Sequence, residues 1–152
     1  MLNTTRPKTI IASAIVFTVL GLGACQSNTL KKDPEKGVQV RTQLAAEYIR
    51  TGDLDSAKRS LDQALKVDSR DANANMMMGI LLQQEGSKPN MEKADSYFRR
   101  AISAEPDNAQ VRNNYGTYLY QLQRYNEAIE QFTRAGATLG YDQRYQSLEN
   151  LG

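Results

Sequence analysis

Three stretches of this chain are copies of one another, and that repetition constrains the fold more than any other feature. Leu44-Ala45, Tyr48, Ala57, Leu61 and Ala64 mark the first copy. Met78-Gly79, Leu82, Ala94, Phe98, Ala101 and Pro106 mark the second, and Tyr115-Gly116, Leu119, Ala128, Phe132 and Ala135 the third. Ala45 to Gly79 is a step of 34 residues, as is Ala94 to Ala128. Gly79 to Gly116 and Ala57 to Ala94 are steps of 37, so one three-residue insertion lies between Gly79 and Ala94. The polar run Ser87-Lys88-Pro89-Asn90 is the place for it, read as a loop between two helices. A unit of this length cannot bury its apolar face alone, so successive units must stack into one continuous core.

Within each unit the periodicity is helical. Ala57, Leu61, Ala64 and Leu65 fall on one stripe of a helix over 54–67. Asp53, Asn90 and Asp107 or Asn108 are suitable N-caps, and Gly52 and Gly86 fall between the two helices of their units. A helix pair with large–small residues at positions 7–8, a large residue at 11, Ala at 20, Leu or an aromatic at 24 and Ala at 27 resembles the tetratricopeptide repeat (TPR). Positions 8 and 20 are where helices A and B approach most closely, which requires Ala or Gly. The fold class is all-α, a TPR helix-turn-helix solenoid in a right-handed superhelix. The repeats span 38–71, 72–108 and 109–142. Residues 143–152 align with part of a fourth helix A, Leu151-Gly152 standing where Tyr115-Gly116 stands in the third repeat, and the chain reads as truncated within that repeat.

The N-terminus reads as an address. Arg6 and Lys8 precede an uncharged, mostly apolar run, Thr9 to Leu22, too short for a comfortable membrane span of about 20 residues. It ends in Leu22-Gly23-Ala24-Cys25, which resembles the bacterial lipobox. That resemblance implies a signal peptide over 1–24 and covalent lipid, palmitate included, on Cys25, the one cysteine of the chain. Gln26 rather than Asp after that cysteine resembles the sorting pattern for the periplasmic face of the outer membrane in Gram-negative bacteria. Residues 25–37 then read as the lipidated cysteine and a polar tether. Cleavage would remove two of the 19 basic residues and none of the 17 acidic ones, leaving a formally neutral chain.

Composition narrows the chemistry. The 152 residues include no histidine, and the single cysteine is taken by the lipobox. Histidine-based acid–base catalysis, almost all zinc enzyme designs, multi-cysteine metal sites and intrachain disulfides are therefore excluded. A formal charge of +2 gives no footprint for nucleic acid. No catalytic constellation, cofactor site, metal site or small-molecule site is expected. The reading is a binding scaffold, not an enzyme.

The lipobox, the tether and the wording of the repeats together resemble the type IV pilus biogenesis and stability lipoproteins, the pilotins of the PilF/PilW family. The segments that carry this are Gly52-Asp53-Leu54 with Ala57, Phe98-Arg99-Arg100-Ala101, Asn113-Asn114-Tyr115-Gly116 through Arg124-Tyr125 to Phe132, and Leu148-Glu149-Asn150-Leu151-Gly152. The resemblance implies an outer-membrane lipoprotein that binds secretin subunits and aids their localisation and multimerisation. The alternative is a TPR interaction lipoprotein of another envelope complex, in outer-membrane protein assembly or regulation of peptidoglycan enzymes. In a TPR, positions 2, 5, 9, 12 and 13 of helix A line a concave groove. The residues expected to meet a partner there are Ile49, Arg50, Met76, Ile80, Gln83, Gln84, Asn113, Thr117, Tyr120 and Gln121. Apart from Arg50 the lining is uncharged, which suits a hydrophobic strand or an amphipathic helix.

Overall fold

In a computed structural model of the chain the described residues are 33–138 and Glu149. They belong to one compact unit, Lys31–Gly152. The expected signal peptide, Cys25, most of the expected tether and, apart from Glu149, the expected partial fourth helix A lie outside them. Among residues 33–138 six helices run in antiparallel pairs: α1 (Pro34–Thr51) with α2 (Leu54–Val67), α3 (Ala72–Glu85) with α4 (Lys88–Ala104), and α5 (Ala109–Gln121) with α6 (Tyr125–Thr138). The first helices of the pairs, α1, α3 and α5, lie side by side, and each B helix also packs on the A helix that follows, α2 on α3 and α4 on α5. This is the all-α repeat solenoid expected.

Side chains with free oxygens start the helices. Asp53 accepts from the Ser56 amide at 3.0 Å, Asp71 from Ala74 at 2.6 Å and Asn108 from Val111 at 3.0 Å. Two starts differ from expectation. The tether was expected to run to Gly37, but α1 begins at Pro34: Asp33 accepts from the Glu35 and Lys36 amides, and proline in the first turn forfeits no helical bond. The inserted residues were expected in a loop with Asn90 as the cap. Instead Ser87 is the cap, accepting from the Asn90 amide at 3.3 Å. The insertion lengthens α4 to 17 residues, against 14 in α2 and α6.

The turns inside the pairs demand a left-handed backbone. Gly52 and Gly86 supply it at φ 82° and 69°. In the third repeat Gln123 takes the equivalent place at φ 60°, a conformation that costs a non-glycine residue roughly 1–2 kcal/mol.

The core is continuous through the three pairs. Ala57, Ala64, Ala94, Ala101, Ala128 and Ala135 are all buried, at the close approaches the repeat pattern assigned to small residues. An inter-repeat cluster of rings joins α4 to α5: Phe98 lies 5.5 Å from Tyr115 and 5.2 Å from Tyr118, centroid to centroid. The pattern fails at one position in the first repeat. Leu44 is 45 % exposed, whereas its equivalents Met78 and Tyr115 are buried. Those two sit on helices with a preceding B helix to pack on, and among the described residues none precedes α1. Val40 is exposed for the same reason, where Ala74 and Val111 are buried.

Candidate functional site: the concave face and the repeat junction

The A helices present the residues expected in the groove, but packing withdraws two of them. Met76 is 1 % exposed and belongs to the core. Ile49 is 9 % exposed and is likewise a core residue. The reason is the lateral contact of α1 with α3 and of α3 with α5, which covers side chains that would face open solvent on an isolated hairpin. Ile80 is half-buried, with one side on the core and the other available. Thr117, Tyr120, Gln84 and Gln121 are exposed, and Gln83 and Asn113 are partly so.

Hydrogen bonds pre-organise this lining. The Gln83 side-chain amide donates to Gln121 Oε1 at 2.6 Å, joining α3 to α5 across the face. Asn114 donates to the Gln110 carbonyl at 2.8 Å and approaches the Met76 sulfur at 3.5 Å. Thr117 donates to the Asn113 carbonyl at 3.1 Å. Arg50 is exposed and paired with Glu47, its Nε at 3.0 Å from Glu47 Oε2. Positions 2, 5, 9, 12 and 13 of α3 and α5 carry no formal charge, so a segment lying along them meets amides, a hydroxyl, Ile80 and the Tyr120 ring.

What holds those helices in place includes a charged clamp whose links between repeats the sequence analysis did not find. Asp95 of α4 accepts from Arg99 at 2.6 Å, from Arg124 at 2.8 Å and from the Tyr115 hydroxyl at 3.0 Å. Arg124 also grips Glu127, at 2.7 Å from Nε. Tyr115 and Arg124 lie 20 and 29 residues from Asp95 in sequence, so only the stacked fold brings them to it. Tyr118 adds a hydrogen bond from its hydroxyl to the Met91 carbonyl at 2.6 Å. Asn75 and Arg112 play equivalent parts in successive repeats. Each is buried and reaches back six residues to a loop carbonyl, Ser69 at 3.0 Å and Pro106 at 2.6 Å.

Partial burial pushes the Asp95 carboxyl up, but hydrogen bonds from Arg99, Arg124 and Tyr115 outweigh it and hold the group below its ordinary value. Burial, then the hydrogen bond to Asp95, raise the Tyr115 hydroxyl well above the usual tyrosine range, so it stays a donor at any physiological pH. A depressed carboxyl contributes stability above its unfolded pKa of about 3.9 and loses it as pH falls through the lower folded value. Urea titrations at pH 7 and pH 3 should therefore show a loss of stability in the wild type that is smaller in Asp95→Asn. At pH 7 the substitution should cost roughly 1.5–3 kcal/mol, the range for hydrogen bonds to a charged group.

Among the described residues no helix is long and apolar enough to cross a membrane, and no group of three or more acidic, Cys or His side chains could hold a metal. Residues 38–71 and residues 90–139 match family profiles described as tetratricopeptide repeat, and together they cover more than half of the chain. The chain belongs to the tetratricopeptide-repeat family. It is 32 % identical over 150 residues to the type IV pilus assembly protein PilF of Pseudomonas aeruginosa, covering 95 % of this chain and 58 % of PilF. An uncharacterized protein of Haemophilus influenzae is 26 % identical over 140 residues, covering 91 % of this chain and 76 % of that one. The solved structure of P. aeruginosa PilF superposes with a TM-score of 0.72 at 31 % identity, covering 78 % of this chain and 52 % of that one. PilW, a widely conserved type IV pilus biogenesis factor, superposes at 0.68 with 34 % identity, covering 75 % and 51 %. This TPR chain thus spans little more than half the length of the two pilus proteins it is similar to.

Proposed function

We propose that this TPR chain acts in type IV pilus biogenesis as a scaffold that binds secretin subunits and aids their localisation and multimerisation. One observation carries the reading: similarity to PilF extends over 95 % of the chain, and PilW matches at 34 % identity. The neutral lining of α3 and α5 supports it, because an uncharged concave face suits an apolar or amphipathic segment of a protein partner. The groove residues are then Ile80, Gln83, Gln84, Asn113, Thr117, Tyr120 and Gln121, with Arg50 at the α1 edge. Met76 and Ile49 act from beneath as packing.

In the same reading the protein is held at the periplasmic face of the outer membrane by lipid on Cys25, outside the described residues, and needs no other cofactor. Lipid contributes about 0.8 kcal/mol per buried CH₂, so two or more chains give a stable anchor without a spanning helix. Deleting the gene is expected to abolish secretin multimers in the outer membrane and twitching motility, and restoring it in trans should recover both. Normal multimers and normal motility in the deletion strain would refute the proposal.

A further inference from the structure

The open face of α1 is not built for another repeat. Val40 and Leu44 are 54 % and 45 % exposed, and Lys36, Gln43 and Glu47 around them are exposed too. On α3 and α5 the place of Glu47 is held by Leu81 and Tyr118, both buried. A further helix pair stacked on α1 in the usual way would draw Glu47 and its Arg50 partner out of water, at a high desolvation cost. Asp33, Lys36, Val40, Gln43, Glu47 and Arg50 follow one another in alternating steps of three and four, the spacing of a seam between two paired helices. All six are exposed.

We propose that this face pairs two copies of the chain, α1 on α1, antiparallel about a two-fold axis. The order of charge along the seam is self-complementary, as such an interface requires. With the axis midway between Val40 and Gln43, Lys36 faces Glu47 of the second copy, Asp33 faces Arg50 and Val40 faces Gln43, each pairing occurring twice. Leu44 of both copies flanks the centre. A parallel pairing would instead set Lys36 on Lys36 and Glu47 on Glu47. Among the described residues Lys36 has no ion-pair partner, and Glu47 has only Arg50 of its own helix. One face of an 18-residue helix is smaller than the roughly 800 Å² per partner of a standard interface, so the dimer is weak and reversible.

Sedimentation of the full chain in a non-ionic detergent should show a dimer that grows with protein concentration. Lys36→Glu and Glu47→Lys, each alone, set like charges opposite one another at both ends of the seam and should weaken dimerisation about tenfold or more. Mixed together, the two variants regain both ion pairs and should form a heterodimer of about wild-type affinity. Both positions are exposed, so helicity by circular dichroism should stay unchanged. A wild type that stays monomeric as concentration rises would overturn the proposal. So would single variants that dimerise like the wild type, or a mixture that associates no better than its components. Monomeric binding to phosphatidylglycerol vesicles, lost in Leu44→Asp and with no dimer formed, would make lipid the occupant and overturn it as well.

Discussion

Phe98→Ala is expected to destabilise the protein by about 3–5 kcal/mol, the range for truncating a buried phenylalanine. Phe98 is fully buried and joins three elements. Its own helix is α4, its ring stacks on Tyr115 and tilts against Tyr118 of α5, and its edge lies where a Cβ on Gly79 of α3 would fall, 2.9 Å away. Removing the ring opens a cavity at the junction of the second and third repeats and strips Tyr115 of its packing, while the tyrosine hydroxyl still seeks Asp95. A domain of this size commonly has a net stability of roughly 5–15 kcal/mol, so this loss would consume a large fraction of it. In a repeat array each unit depends on its neighbours. The third repeat should therefore melt first, seen as early loss of amide protection in α5 and α6. A variant that keeps its melting temperature within a few degrees of wild type would show that the ring cluster is not the junction.

Gly116→Leu is expected to cost about 3 kcal/mol by overpacking. A Cβ at Gly116 would lie 2.7, 2.8 and 3.0 Å from three atoms of the Phe132 ring, and that ring is itself buried between α5 and α6. Glycine here makes room for an aromatic ring at position 24. The first repeat, with Leu61 in that place, carries Ala45 in the position of Gly116. The second, with Phe98, again carries Gly79, whose Cβ would meet the ring at 2.9 Å. Gly116→Ala combined with Phe132→Leu recreates the pairing of the first repeat. That double variant should recover most of the stability, helped by the roughly 1 kcal/mol by which alanine outranks glycine inside a helix. Chemical denaturation of the three proteins would measure it, and equal loss in Gly116→Leu and in the compensated pair would contradict this explanation of the glycine.

These two sites show why so much of the fold was legible in the sequence. A contact between helix backbones tolerates only Ala or Gly, and the ring or leucine opposite leaves its own mark 16 residues later, at Leu61, Phe132 and, with the insertion, Phe98. The faces of α3 were harder to read. It carries Met76, Met77, Met78, Ile80, Leu81 and Leu82 in close succession, so periodicity alone does not say which of them faces outward. Contacts with α1, α2, α4 and α5 decide, and Met76 falls inside. The cap of α4 was ambiguous because Ser87 and Asn90 are both good caps and stand one helical turn apart. Of the Asp95 clamp the sequence shows only the Arg99 pair, four residues along the same helix, because Tyr115 and Arg124 come from the next repeat. Most of the exposed large apolar side chains make sense only in the stack: Val40 and Leu44 lie on the first described helix, and Tyr120, Leu122, Tyr125 and Ile129 in the last described pair.

The central claim is that the uncharged concave face of α3 and α5 captures a secretin segment. Titration calorimetry with purified secretin periplasmic region against the wild-type chain and Ile80→Asp/Thr117→Asp tests it most directly. Thr117 is exposed and Ile80 keeps one side on the core, so circular dichroism and a melting curve on the same variant must show that the fold is kept. The wild type is expected to bind, and the variant to lose about 30-fold or more in affinity, the scale of a hot-spot residue. Equal affinity of the two proteins for the secretin would contradict the claim.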